Sequence, residues 1–115
     1  MGIFREPGSD EIDIVKEMAE ALGSQGLKLE ELIEKAHSTL ATVNRLLEDY
    51  RDGSQPGKPD LDEVNRHIRE FNVLVERSED ALRWLLIQRE ACGFRTHRNV
   101  NVFYPIPRKI KLLSS

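Results

Sequence analysis

Two stretches decide the fold: residues 29–50, LEELIEKAHSTLATVNRLLEDY, and residues 61–85, LDEVNRHIREFNVLVERSEDALRWL. In the first stretch apolar residues recur at alternating steps of four and three: Leu29, Ile33, Ala36, Leu40, Val43, Leu47 and Tyr50. The second stretch keeps this spacing: Leu61, Val64, Ile68, Phe71, Val75, Ser78, Leu82 and Leu85. Such alternation is the heptad seam of packed helices. We therefore predict one helix from about Lys28 to Arg51 and another that ends at Ala91 or Cys92.

The segment between the two seams predicts how the helices are joined. Residues 51–59 hold two Gly and two Pro, which cannot continue a helix. Asp60 is placed to cap the second helix, with Glu63 three residues later. If facing residues have numbers that add up to 111, every residue of the first seam finds a partner on the second, for example Val43 and Ile68. This complete matching predicts an antiparallel hairpin with a coiled-coil-like seam.

Further elements flank the hairpin on both sides. Residues 10–22 repeat apolar positions at helical spacing and stop at Gly23, which predicts a short N-terminal helix and a break over residues 23–26. A second apolar stripe beside the seam predicts a third helix against the pair; its members are Leu32, Leu46, Leu74 and Ala81. The fold class is therefore all-α. We assign residues 1–93 to the helical domain and residues 94–115 to an extended basic tail that packs on this domain or is exchanged from it.

The tail differs from the helical domain in pattern and in charge. Residues 99–102 alternate like a short strand, and residues 104–107 must be extended because of their prolines. No acidic residue follows Glu90, whereas five basic residues do. An acidic body with a basic tail leaves three alternatives open: the tail folds back on the acidic helices, reaches a protein partner, or binds an anionic partner such as single-stranded nucleic acid.

The residues around the end of the second helix are the candidate binding surface. The apolar run of residues 84–87 overruns the start of the facing helix and needs a cover. We expect the N-terminal helix, the tail or a second protomer to supply that cover, the last giving a homodimer with four helices. The candidate partner-binding residues are Trp84, Leu86, Ile87, Phe94, Arg95, Arg98, Phe103, Tyr104, Arg108, Lys109 and Lys111.

No residue cluster predicts catalysis, a metal or a cofactor. The pair Glu34 and His37 has the spacing of a di-iron helix motif, but the seam position between them belongs to Ala36. The hairpin register keeps His37 and His67 apart. Cys92 lies near His97 in sequence without a group to orient the imidazole. We therefore expect a non-catalytic interaction or assembly protein, with a nucleic-acid-binding accessory protein as the alternative.

Composition bounds the cellular setting. Cys92 is the only cysteine, so no intramolecular disulfide forms, which favours a reducing compartment. No apolar run reaches the roughly 18 residues of a membrane span. The first residues are too polar for a secretory signal. Together these features predict a cytoplasmic protein.

Overall fold

The computed structural model describes residues 9–53, 57–97 and 100–114, with the side chains of residues 9–15, 18 and 101 left aside. It contains helix α1 (Ser9–Asp52), helix α2 (Leu61–Ala91) and a single helical turn, α3 (Val100–Phe103). The two long helices pack against each other, and α3 follows near the end of α2. The predicted all-α helical hairpin is thus confirmed.

The predicted seam forms the core of this hairpin. A central cluster consists of six buried residues: Ala36, Val43, Val64, Ile68, Phe71 and Val75. A second cluster lies toward the end of α2 and consists of Leu29, Ile33, Ala81, Leu85 and Val100. In each cluster, the residues of α1 and α2 are those that an antiparallel register with a sum near 111 brings together. Burying such side chains is what holds the helices in place.

The ends of the helices follow the sequence signals. The side chain of Asp60 accepts a hydrogen bond of 2.8 Å from the N–H of Glu63, as predicted for the cap of α2. α2 ends at Ala91, and Gly93 adopts a φ of 96°, a left-handed conformation that glycine allows without strain. The loop after α1 uses Gly53 and Gly57 in the same left-handed region.

The predicted N-terminal helix and break are wrong as separate features. α1 is continuous from Ser9 to Asp52, so residues 10–22 form its first part and residues 23–26 do not interrupt it. Neither Gly23 nor Gly26 has a positive φ. A glycine in a helix costs only about 1 kcal/mol relative to alanine, less than breaking the hydrogen-bond ladder of a packed helix. The second stripe of the hairpin is therefore not covered by an N-terminal helix that folds back.

The strand-like prediction is also wrong for residues 100–102, whereas residue 99 lies outside the described residues. Val100–Phe103 is a helical turn, closed by hydrogen bonds from Val100 N–H to the His97 carbonyl and from Tyr104 N–H to the Val100 carbonyl. A lone strand needs a neighbour for its main-chain groups, and the described residues contain none. The turn satisfies those groups locally and buries Val100. Residues 104–114 then run without helix or strand.

Candidate functional site

A two-helix hairpin has two long grooves, one on each side of its seam. At 100° per residue, Asn72 and Leu74 of α2 lie on opposite sides of the buried Phe71. Residues 104–114 run along the Asn72 side, which we call the tail groove. The Leu74 side, which we call the open groove, lies away from that segment. The two grooves have different chemistry and are described in turn.

Two asparagines of α2 hold the main chain of the tail. Asn72 Nδ2 donates to the Ile110 carbonyl at 2.8 Å, and its Oδ1 accepts from the Ile110 N–H at 2.9 Å. Asn65 repeats this arrangement with Leu113, at 2.9 Å and 2.7 Å. Each amide thereby pairs with both main-chain groups of one residue. We call Asn65 and Asn72 the asparagine clamp.

The spacing of the clamp matches an extended chain. Its two asparagines are one heptad apart on α2, about 10.5 Å along the helix axis. The residues that they bind are three apart, which spans about 10 Å in an extended chain. The more C-terminal tail residue meets the more N-terminal asparagine, so the tail runs antiparallel to α2. Helix α2 thus binds the backbone of the extended tail at two residues, Ile110 and Leu113.

Apolar side chains of the tail pack into the same groove. Ile106, Ile110 and Leu113 are half-buried against the central core cluster. Tyr104 packs on the second cluster, and its hydroxyl lies 2.6 Å from the position that a Cβ atom on Gly26 would occupy. Gly26 is therefore required by a close approach, not by a turn.

The basic residues of the tail have different surroundings. Lys109 pairs with Glu76 of α2, and this hydrogen bond raises the pKa of the Lys109 ammonium. Because that pKa is raised, the pairing stabilises the fold at neutral pH, and its contribution is lost only as the pH rises above about 10.5 and through the raised pKa. Arg95, Arg108 and Lys111 are exposed. Arg98 lies outside the described residues.

Arg89 organises the turn between α2 and the tail. Its guanidinium lies 4.6 Å from the centre of the Phe94 ring and donates to the Thr96 carbonyl at 3.2 Å. Its Nε donates to His97 Nδ1, while His97 Nε2 lies 3.3 Å from a Glu90 carboxylate oxygen. The imidazole of His97 thus contacts two residues at the end of α2 and helps to hold the turn in place.

The open groove exposes apolar side chains along the hairpin. Trp84 is 58% exposed and Val73 is 43% exposed. Beside them lie Leu32 and Leu74, both half-buried. One cleft of this groove is lined by Gln25, Lys28, Leu32, Arg77, Asp80, Ala81, Trp84 and Gln88. Two neighbouring clefts both contain Leu74 and Thr39. Their charged lining residues are Glu31, Glu34 and Lys35 on α1 and Arg66, Arg69, Glu70 and Arg77 on α2.

The structure separates the predicted run of residues 84–87 onto different faces. Trp84 lines the open groove, Leu85 is buried in the core, and Leu86 packs against the second cluster. Ile87 and Phe94 are exposed. Phe103 is also exposed and lines a cleft on the tail side with Leu22, Gly23, Glu30, Leu85, Arg89, Val100 and Tyr104.

The residues considered for chemistry stay apart from one another. Glu34 and His37 are both exposed on α1. His67 Nδ1 lies 2.9 Å from the Glu63 carbonyl of its own helix. Within residues 9–53, 57–97 and 100–114 no three His, Cys, Asp or Glu side chains are placed to hold one metal ion. Nor does any helix in these ranges have the length and apolar character needed to cross a membrane.

No family model, curated protein or solved structure matches the chain. The case for a function therefore rests on the two grooves. Sequence reasoning missed the asparagine clamp, although a signal was present: Asn65 and Asn72 share one heptad position and follow directly after Val64 and Phe71 of the seam. A polar amide repeated beside a seam at this spacing is the pattern to look for.

Proposed function

We propose that this chain is a non-catalytic helical interaction module that self-associates through its open groove. The observation that carries the proposal is the exposed apolar stripe of that groove, with Trp84 and Val73 beside Leu32 and Leu74. Exposed apolar patches mark interaction sites, and here Trp84 and Leu32 line one cleft of the groove while Val73 and Leu74 line the next. A second hairpin set against it completes a four-helix bundle, the arrangement in which such stripes become buried.

The charges along the open groove support a second copy as the occupant. Beside Leu74, the α1 wall carries Glu31, Glu34 and Lys35. The α2 wall carries Arg66, Arg69, Glu70 and Arg77. A two-fold axis parallel to the hairpin sets α1 of each copy against α2 of the other. Lys28 of α1 and Asp80 of α2 also line the groove, so each wall carries charges of both signs. With facing numbers that add up to 111, this axis sets Glu34 of one copy level with Arg77 of the other, which favours this pairing.

An interaction module is better supported than the nucleic-acid alternative. Lys109 is already paired with Glu76, and Arg89 already covers the Phe94 ring. Of the described basic residues of the tail, Arg95, Arg108 and Lys111 are left for an anionic strand. Nucleic-acid affinity grows with the number of neutralised phosphates, and three charges give a small footprint.

The solution mass tests this proposal. Light scattering after size exclusion, at low and high salt, is expected to give twice the chain mass of 13.2 kDa for the wild type. The double variant Val73→Glu with Trp84→Glu is expected to run as a monomer, because two carboxylates would have to be buried in the interface. Both positions are exposed in the single chain, so the fold itself should tolerate them.

Val102→Glu is the matched control. Val102 is 73% exposed but belongs to α3, outside the open groove, so this variant should remain a dimer. A wild type that stays monomeric at roughly 0.1 mM, where an interface of standard size is populated, contradicts the proposal. Equal dissociation of the Val102→Glu variant would contradict the assignment to the open groove.

A further inference from the structure

The tail groove holds its occupant through both the backbone and apolar side chains. The asparagine clamp binds the N–H and the carbonyl of Ile110 and of Leu113 and ignores their side chains. The side chains of Ile106, Ile110 and Leu113 add apolar contacts to the central cluster. Main-chain hydrogen bonds with pockets for particular side chains are how proteins recognise extended peptides. The groove therefore has the properties of a peptide-binding site that is filled by its own chain.

The connection between α2 and this occupant is short and local. It turns at Gly93, whose φ of 96° is available to glycine, and the side chain of Arg89 holds it closed through Phe94, Thr96 and His97. Opening this turn leaves both the groove and the tail intact. Each copy of the chain then offers one groove and one segment of matching chemistry.

We propose that the tail groove also accepts the tail of a second copy, so that residues 100–114 exchange between chains. The clamp binds main-chain groups that are identical in the tails of both copies. The apolar side chains that pack into the groove are also identical in both copies. Exchange of an element between identical chains creates no new kind of contact and needs only a hinge that opens. This association uses the side of the hairpin opposite to the open groove, so it does not depend on the proposed bundle.

Two defective chains that complement each other provide the test. The first carries Ile110→Asp and Leu113→Asp, which leaves the groove intact but spoils the tail. The second carries Asn65→Ala and Asn72→Ala, which leaves the tail intact but removes the clamp. Both also carry Val73→Glu and Trp84→Glu, so that association through the open groove cannot contribute. Circular dichroism establishes that each is helical before mixing.

The first chain is labelled with a fluorophore at its N-terminal amine. Its fluorescence anisotropy is expected to rise as the second chain is added and to saturate at one second chain per labelled chain. A titrant that combines the clamp and tail substitutions is the control and should give no rise. Placing the clamp substitutions in the labelled chain should weaken binding at least tenfold. No rise with the second chain, or an equal rise with the control titrant, overturns the proposal.

A synthetic peptide of residues 104–114 provides a second test that does not require either defective chain to fold. The labelled peptide should bind wild-type chain at least tenfold more weakly than a full chain carrying only Ile110→Ser, because the wild-type tail competes at high effective concentration. Asn65→Ala with Asn72→Ala should abolish peptide binding, whereas Asn44→Ala, an exposed asparagine of α1, should not. Equal binding by the wild type and the Ile110→Ser variant would contradict a displaceable tail.

Discussion

Ser78 shows how a single polar residue is tolerated in the seam. It is fully buried between apolar neighbours, and its hydroxyl donates to the Leu74 carbonyl one turn back, at 2.8 Å. Heptad spacing predicts a seam position for Ser78, and the structure places it there. A buried hydroxyl that bonds its own helix is satisfied and leaves no orphan group.

Replacing Ser78 with alanine should therefore leave stability nearly unchanged or raise it by about 0.5 kcal/mol, because the intrahelical bond is lost while helix propensity improves. Phe71→Ala, which empties a fully buried core position, should cost about 3–5 kcal/mol. Urea denaturation of both variants at one protein concentration measures the difference. A loss above about 1 kcal/mol for Ser78→Ala would mean that the hydroxyl has a further role in the seam.

The asparagine clamp is not predicted by the heptad pattern. Asn65 and Asn72 sit beside the seam, where polar residues ordinarily face water. Asn65 is instead only 9% exposed, because the tail covers it and uses both ends of its amide. The heptad position of Asn65 shows only that the residue lies beside the core. The hydrogen bonds to Leu113 show that its amide binds a backbone.

At the scale of elements, the continuity of α1 separates two glycines with different roles. A Cβ atom on Gly23 would meet nothing within 4 Å, whereas one on Gly26 would meet the Tyr104 hydroxyl at 2.6 Å. The same substitution at the two sites therefore isolates the contact between α1 and the tail from helix propensity.

Gly23→Ala should raise the free energy of unfolding by about 0.5–1 kcal/mol, since alanine is the better helix former. Gly26→Ala should give less or none of this gain, because Tyr104 must move away. Adding Tyr104→Phe to Gly26→Ala removes the clashing oxygen and should restore the gain. Thermal unfolding of the four proteins measures these differences; a gain from Gly26→Ala equal to that from Gly23→Ala would place Tyr104 elsewhere.

The elements also show where periodicity decides and where it does not. Heptad spacing predicted helix correctly over residues 29–50 and 61–85, because a long apolar seam can be buried in few ways, but it did not predict that the first helix begins at Ser9. The alternation over residues 99–102 covered only four positions and predicted a strand, whereas a helical turn forms from Val100 to Phe103. The conformation of so short a segment depends on which of its main-chain N–H and carbonyl groups find hydrogen-bond partners.

At the scale of the whole molecule, the chain is long and exposes much surface. Its extents are 81 × 20 × 19 Å, and its accessible surface is 8645 Å². A compact monomer of this mass exposes about 6,400 Å². The excess of about 2,200 Å² is more than the roughly 800 Å² that each partner buries in a standard interface. This shape leaves room for a partner along the open groove.

Small-angle scattering tests the geometry of the proposed dimer. Two hairpins that pack side by side through their open grooves keep a longest dimension close to the 81 Å of one chain while the cross-section grows. Chains joined end to end through exposed residues such as Ile87 and Phe94 would approach twice that length. We expect the first result for the wild type, and an elongated particle of double length would contradict the open-groove bundle.

Spacing along the chain predicted the helical class, the two seams and the caps at Asp60 and Gly93, and matching the two seams predicted the antiparallel register. The structure was needed to show that α1 continues through Gly23 and Gly26, that Tyr104 rests on Gly26, and that the tail is clamped by Asn65 and Asn72. These contacts join residues far apart in the chain, and their energy depends on which main-chain and side-chain groups meet in space, which periodicity does not encode.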